Sequence, residues 1–125
     1  MLTAPRVLVI DDERYVRGLL SELLTVWGYE TDVAASGAEG LALFKEKSYD
    51  LVLTDYLMAG CSGIELVENV RNRDTEVGVI MLTASGAEMD THVRRLGFTL
   101  LRKPLQIGRL EVAVRQALGD RKTEA

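Results

Sequence analysis

The sequence predicts an α/β fold in which five consecutive strand–helix units surround a parallel sheet. The first observation is that short apolar runs rich in β-branched residues alternate along the chain with amphipathic stretches. The second is that most of these runs lack polar alternation, which is typical of parallel strands covered on both faces. Alternating strands and helices imply parallel strands joined by right-handed crossovers.

The predicted strands fall into two kinds. One segment, Glu30 to Ala34, alternates apolar and polar residues and fits an edge of the sheet. The others read as strands buried on both faces, and they are Val7–Ile10, Leu51–Thr54, Val79–Leu82 and Phe98–Leu101.

Between these strands, apolar residues recur at spacings of three and four, as they do along the buried stripe of a helix. We expect Gly28 to end the first of these helices and Gly119 the last. The stripes are Val16, Leu19, Leu20, Leu23, Leu24 and Trp27; Ile64, Val67 and Val70; and Ile107, Leu110, Val114 and Leu118.

Three predicted helix starts share the Ser-x-x-Glu spacing of a capping box, in which serine and glutamate side chains each accept a backbone N–H. They are Ser36 with Glu39, Ser62 with Glu65, and Ser85 with Glu88.

Size and composition limit the functional classes. A chain of 125 residues fits one domain, which we expect over residues 1–120, followed by a polar tail over 121–125. The formal charge of −4 argues against non-specific nucleic-acid binding. Neither a membrane span nor a signal peptide is predicted, so we expect a cytoplasmic protein. The single cysteine, Cys61, rules out an internal disulfide.

Polar residues follow four of the predicted strands, at the point where each strand ends. They are Asp11 and Asp12, then Asp55, then Thr83, and finally Lys103. Each has an ordinary structural role when taken alone, such as a turn former, a helix cap or a solvated loop residue. Because ligands of such folds bind beyond the carboxyl ends of the strands, their joint placement predicts a functional site.

The residue types at this edge indicate phosphoryl-transfer chemistry. Three clustered carboxylates need a countercharge, and Mg²⁺ prefers oxygen ligands and commonly shares a phosphate oxygen. An ammonium from Lys103 and a hydroxyl from Thr83 could hold further oxygens of a transferring phosphoryl group. Asp55 stands alone at the end of a central strand and is the candidate nucleophile.

These residues resemble the receiver domain of bacterial two-component response regulators over essentially the whole chain. The resemblance rests on Asp11-Asp12, Asp55-Tyr56-Leu57-Met58 followed by Ser62-Gly63, Thr83-Ala84 and Lys103-Pro104. It implies a flavodoxin-like (βα)5 fold, a three-layer α/β/α sandwich whose five-stranded parallel sheet has the order 2-1-3-4-5.

The resemblance also implies a role for each matching residue. Asp55 would accept a phosphoryl group from the phosphohistidine of a sensor histidine kinase or a histidine phosphotransfer protein. Mg²⁺ would be held by Asp12, Asp55 and the Leu57 carbonyl, with Asp11 helping through water. Lys103 and Thr83 would contact the phosphoryl group. The Lys103–Pro104 bond is expected to be cis, and a homodimer could form through the face of the fourth helix, fifth strand and fifth helix.

Two positions depart from the family pattern. Ala59 stands where the phosphorylation loop usually has proline, and Leu100 stands where an aromatic switch residue is common. Leucine has no ring to swing into a vacated pocket, so the usual coupling between the threonine and an aromatic side chain is not expected here.

The function predicted is an interaction module that phosphorylation switches. It would catalyse its own phosphorylation and dephosphorylation and would not be a turnover enzyme. One alternative is a phosphatase of the haloacid-dehalogenase type, although that family has Asp-x-Asp after the first strand and Asp11 and Asp12 are adjacent. The other is a flavin-binding flavodoxin, in which the first loop donates N–H groups to phosphate, whereas Asp11-Asp12-Glu13 would repel it.

Overall fold

The computed structural model describes residues 4–58, 60–84 and 88–119. Across these ranges strands and helices alternate five times. The strands are β1 (Arg6–Ile10), β2 (Glu30–Ala34), β3 (Leu51–Asp55), β4 (Gly78–Thr83) and β5 (Thr99–Arg102). The helices are α1 (Arg14–Val26), α2 (Gly37–Glu46), α3 (Gly63–Arg73), α4 (Asp90–Leu96) and α5 (Ile107–Leu118). Of the described helices, none combines the length and the apolar character that crossing a bilayer requires.

All strand pairs are parallel, and the strand order is β2-β1-β3-β4-β5. This confirms the predicted fold class and the edge position of β2. The prediction that the fifth strand is buried on both faces is wrong, because β5 forms the other edge of the sheet. Thr99 is exposed and Leu100 and Leu101 are only half-buried, while Phe98 is buried but precedes the strand.

The core has two parts, one on each face of the sheet. On one face, alternate residues of the central strands pack against α2, α3 and α4, with Phe44, Leu66 and Leu96 among the buried side chains. On the other face, the intervening residues pack against α1 and α5 through Leu24 and Val114. Each fully buried side chain of this size contributes roughly 1.5–3 kcal/mol to stability. The three-layer sandwich predicted from the sequence is therefore present.

The predicted helix stripes are largely confirmed, but two of their members are wrong. Leu19 is 46% exposed and Ile107 is 50% exposed. The buried residues of α1 are Leu20 and Leu24, which lie four residues apart on one face of the helix. Leu19 lies at the border of that face. Ile107 is the first residue of α5, and the buried part of that helix begins one turn later at Leu110.

The three predicted capping boxes have different outcomes. Ser62 and Glu65 form a complete box at the start of α3. Ser36 caps α2 by accepting the Glu39 N–H, but the Glu39 carboxylate accepts from the N–H of Ala35 instead of from the cap residue.

The box predicted at Ser85 does not start the fourth helix. Ser85 lies outside the described residues, but Glu88 and Met89 are not helical, and α4 begins at Asp90. The Glu88 carboxylate accepts the Asp90 N–H at 2.7 Å, so it bonds the backbone two residues further along the chain. Glu88 therefore precedes α4 and does not occupy the third helical position that the predicted box requires.

Candidate functional site

The carboxyl ends of β1, β3, β4 and β5 carry the residues that the sequence singled out. Asp11 directly follows β1, Asp55 and Thr83 are the last residues of β3 and β4, and Lys103 follows β5. The four strands are consecutive neighbours in a parallel sheet, with Asp55 aligned to Leu82. Their ends therefore meet at one edge of the sheet.

The shortest contact at this edge joins residues from β3 and from the loop after β5. The Nζ atom of Lys103 lies 2.9 Å from Oδ1 of Asp55, and the two side chains are 30% and 11% exposed. The Lys103 N–H also donates to the Thr83 carbonyl at 2.8 Å. The Lys103–Pro104 peptide is cis, as expected. Lysine is thereby held between the ends of β3 and β4.

Three carboxylates form a compact acidic cluster beside this contact. One oxygen from each of Asp11, Asp12 and Asp55 lies within 4.8 Å of the others. Asp11 and Asp55 are buried and Asp12 is exposed, so the cluster opens to solvent on the Asp12 side. Thr83 is 1% exposed at the end of the adjacent strand.

Asp11 is held by hydrogen bonds from three directions. Its N–H donates to the Ala34 carbonyl at 3.1 Å, its Oδ1 accepts the Glu13 N–H at 2.8 Å, and its carbonyl accepts from the Arg17 guanidinium at 2.8 Å. Burial raises the pKa of the Asp11 carboxyl and the negative charge of Asp55 adds to this, whereas the hydrogen bond from Glu13 opposes it. Its other oxygen, Oδ2, is buried and has no hydrogen-bond partner in the part of the chain that the structure describes.

These features fit a hard divalent cation. The donors are carboxylate oxygens, which Mg²⁺ prefers, and three negative charges lie beside the ammonium of Lys103. A buried carboxylate oxygen without a partner is costly unless something donates to it or binds it. A cation, or a water held by one, would satisfy the Oδ2 atom of Asp11.

The loop between β3 and α3 is held close to the end of β3. The Tyr56 N–H donates to the Leu82 carbonyl at 2.8 Å, and the Gly63 N–H donates to the Tyr56 carbonyl at 2.7 Å. Leu57 lies in this loop with its side chain 65% exposed, and the predicted use of its carbonyl as a metal ligand remains a prediction. Ala59, the first departure from the family pattern, lies outside the described residues.

Leu100, the second departure, packs half-buried against the core on the α4 side of the sheet. Two residues that sequence reasoning did not assign also contribute to this edge. Glu13 caps α1, since its carboxylate accepts the N–H groups of Tyr15 and Val16, and Arg17 binds the Asp11 carbonyl. No periodicity signals these contacts, which depend on how the loop after β1 folds back on α1.

A comparison with protein families matches residues 7–115 to the response regulator receiver domain. Among curated proteins, the chain is 34% identical over 115 residues to sporulation initiation phosphotransferase F of Bacillus subtilis, covering 90% of this chain and 93% of that protein. It is 36% identical over 121 residues to the regulatory protein AtoC of Escherichia coli, covering 94% of this chain but only 26% of AtoC. The chain therefore spans about a quarter of some relatives and nearly all of another.

Solved structures give the same result. The response regulator protein TrrA of Thermotoga maritima, in complex with Mg²⁺ and BeF, superposes with a TM-score of 0.82 at 34% identity, covering 90% of this chain and 98% of that one. A CheY-like receiver domain protein of Methanospirillum hungatei has a TM-score of 0.90 at 24% identity, covering 98% and 100%, and supports the fold alone. These similarities do not favour the haloacid-dehalogenase alternative.

Proposed function

Because the chain belongs to the response regulator receiver domain family, whose members are phosphoacceptors, we propose that Asp55 is the residue that takes the phosphoryl group. The observation that carries this proposal is the 2.9 Å contact between Lys103 Nζ and Asp55 Oδ1. This contact pairs the Asp55 carboxylate with the Lys103 ammonium before any phosphoryl group is present. A phosphoryl group joined to Asp55 would therefore lie next to the positive charge of Lys103.

The other residues of the edge have complementary roles in this proposal. Asp12, Asp55 and the Leu57 carbonyl hold Mg²⁺, and Asp11 acts through a water. When bound, the ion supplies positive charge that offsets the charge on the transferring phosphoryl oxygens. Lys103 and the Thr83 hydroxyl bind the remaining oxygens. TrrA, crystallised with Mg²⁺ and BeF, supports the assignment by similarity.

The chemical step is an exchange of one bond for another. A carboxylate oxygen of Asp55 forms a bond to phosphorus while the bond from phosphorus to the phosphohistidine nitrogen breaks, and the imidazole leaves with the electron pair. In dephosphorylation, water attacks phosphorus, the bond from the Asp55 oxygen to phosphorus breaks, and inorganic phosphate leaves. The domain thus promotes both its own phosphorylation and its own dephosphorylation, without turning over an external substrate.

The partners proposed are a sensor histidine kinase or a histidine phosphotransfer protein. Sporulation initiation phosphotransferase F, a relative of nearly the same length, is by its name a phosphotransferase, which supports a place in such an exchange. The receiver unit is assigned to residues 1–120 and the polar tail to 121–125, in line with the family match over 7–115.

We also propose that a homodimer can form through the face made by α4, β5 and α5. β5 is an edge strand, and the side chains of Ile107 and Val112 on α5 are 50% and 51% exposed. Sedimentation with and without a beryllofluoride phosphoryl mimic would test this, and a monomer under both conditions would contradict it.

The proposed function is tested by incubating the protein with acetyl phosphate and Mg²⁺ and measuring its intact mass. We expect the mass of one phosphoryl group to be added, and we expect none when EDTA replaces Mg²⁺ or when Asp55→Asn is used. Asp50→Asn is the matched control, since Asp50 precedes β3 at the opposite end of the strand, and it should be phosphorylated like the wild type. An unmodified wild-type protein that is folded and metal-bound would contradict the proposal.

A further inference from the structure

Arg17 binds the main chain of the acidic cluster, although it is not itself part of that cluster. It lies in the first turns of α1, is half-buried, and donates from its guanidinium to the Asp11 carbonyl at 2.8 Å. Within the described ranges it makes no ion pair with a carboxylate. This guanidinium lies beside three carboxylates but donates to a neutral carbonyl. It therefore acts as a hydrogen-bond donor of fixed direction.

The carbonyl of Asp11 is one of the points that determine where its carboxylate lies. The N–H of the same residue is tied to β2 through Ala34, and Oδ1 is tied to Glu13 in the turn that leads into α1. Arg17 closes the set from within α1, because its own N–H donates to the Glu13 carbonyl at 3.0 Å. The backbone of Asp11 is therefore fixed to β2 on one side and to α1 on the other.

We propose that Arg17 is a positioning residue for the divalent-cation site, acting through the main chain of Asp11. The inference rests on the proposed function, in which Asp11 contributes to that site. By holding the carbonyl, Arg17 fixes the rotation of the Asp11 backbone and hence the direction of its buried Oδ2 atom. Groups that orient the residues around a metal in this way typically contribute about 10- to 100-fold to metal affinity or activity.

Charge and positioning predict opposite effects when Arg17 is replaced. Removing a positive charge near three carboxylates strengthens cation binding if charge alone matters, because the cation meets less repulsion. Removing the donor that orients Asp11 weakens cation binding if positioning matters. The sign of the change therefore separates the two roles.

The experiment measures binding of Mn²⁺, used as the probe for the divalent site, from the electron paramagnetic resonance signal of the free ion. We expect Arg17→Gln to raise the dissociation constant about 10-fold, and Mg²⁺ to compete for the same site. Arg17→Lys keeps an N–H donor on a shorter and less directional side chain, so its affinity for Mn²⁺ should lie between those of the wild type and Arg17→Gln. The rate of phosphorylation by acetyl phosphate should recover in Arg17→Gln at saturating Mg²⁺, which a general loss of structure would not allow.

Arg14→Gln is the matched control, because Arg14 is an exposed residue of the same helix and its replacement removes the same charge. It should bind Mn²⁺ at least as tightly as the wild type. All variants should melt close to the wild type in EDTA, and Arg17→Lys serves the test if Arg17→Gln does not fold. An unchanged or higher affinity in folded Arg17 variants would overturn the inference while leaving the proposed function intact. A wild-type protein that bound no Mn²⁺ would instead overturn the proposed function.

Discussion

The ammonium of Lys103 lies 2.9 Å from the carboxylate of Asp55, although the two residues belong to different strand–helix units. The contact exists because β3, β4 and β5 are consecutive parallel neighbours, so that their carboxyl ends meet. The contact directly offsets part of the negative charge of Asp55. The reactivity proposed for the site depends on this relationship.

Replacing Lys103 tests the contact directly. We expect Lys103→Gln to slow phosphorylation by acetyl phosphate at saturating Mg²⁺ by about 10²-fold, the usual effect of removing one donor that stabilises developing charge. Lys103→Arg should rescue little of the rate, because a planar guanidinium does not reproduce a compact ammonium. Arg109→Gln, an exposed change on α5, is the control and should react at the wild-type rate.

The acidic cluster should make stability depend on divalent cations. Mg²⁺ at ten times its dissociation constant should stabilise the wild-type protein by about 1.4 kcal/mol, because it binds the folded state alone. In Asp12→Asn this increment should vanish, while stability in EDTA should equal or exceed that of the wild type, since one like charge is lost from the cluster. Urea unfolding with and without Mg²⁺ measures both, and an undiminished Mg²⁺ effect in Asp12→Asn would be evidence against the assigned ligands.

Gly63 allows α3 to approach the end of β3 closely. A Cβ atom added there would lie 2.7 Å from the Asp55 carbonyl oxygen and 3.0 Å from the Tyr56 Cα. Backbone atoms cannot move aside as a flexible side chain can, so Gly63→Ala should cost about 1–3 kcal/mol and should slow phosphorylation by displacing Asp55.

Gly18→Ala is the matched control for this change. Gly18 lies inside α1 and an added Cβ would meet nothing within 4 Å. Alanine there should stabilise the protein by up to about 1 kcal/mol because of its higher helix propensity. Equal effects of the two substitutions on urea unfolding would show that the close approach at Gly63 has no energetic consequence.

A second site, remote from the acidic cluster, should govern part of the acid sensitivity. The Tyr49 hydroxyl donates to Asp32 Oδ2 at 2.7 Å, and this bond, followed by the charge of Lys47, lowers the pKa of Asp32 below its ordinary value of 3.8. A lowered pKa in the folded state means that the stabilisation is present above 3.8 and is lost as the pH falls through the folded-state pKa.

Tyr49→Phe removes this hydrogen bond but keeps the ring that stacks on Phe44 at a centroid distance of 6.2 Å. Because Asp32 is partly exposed, we expect a loss of about 1 kcal/mol in the free energy of unfolding near neutral pH. The difference from the wild type should shrink once the pH is well below the folded-state pKa of Asp32. Tyr15→Phe, at a residue that is 86% exposed, is the control. A difference that did not change with pH would contradict this role for Asp32.

Much of this architecture could be predicted because it depends on local patterns. Continuous apolar runs identified β1, β3 and β4, and polar alternation identified β2 as an edge strand. Since parallel strands align their carboxyl ends, the position of a residue directly after a strand was enough to gather Asp11, Asp55 and Lys103 at one edge.

The features that escaped prediction depend on tertiary packing. The exposure of Leu19 and of the edge strand β5 depends on which neighbouring elements pack over them. The spacing of apolar residues in the sequence does not indicate those neighbours. The bond from Arg17 to Asp11 and the pair of Tyr49 with Asp32 join side chains whose meeting depends on the folded chain. A Ser-x-x-Glu spacing likewise could not show that Glu88 precedes α4 and accepts the N–H of its first residue, Asp90.

Locating the modified residue tests whether Asp55 is the phosphoacceptor. Protein incubated with acetyl phosphate and Mg²⁺ is treated with sodium borohydride, which reduces an aspartyl phosphate to homoserine, and its peptides are sequenced by mass spectrometry. We predict homoserine at position 55 and unmodified aspartate at positions 11 and 12. Homoserine at position 11 or 12, with Asp55 unmodified, would contradict it.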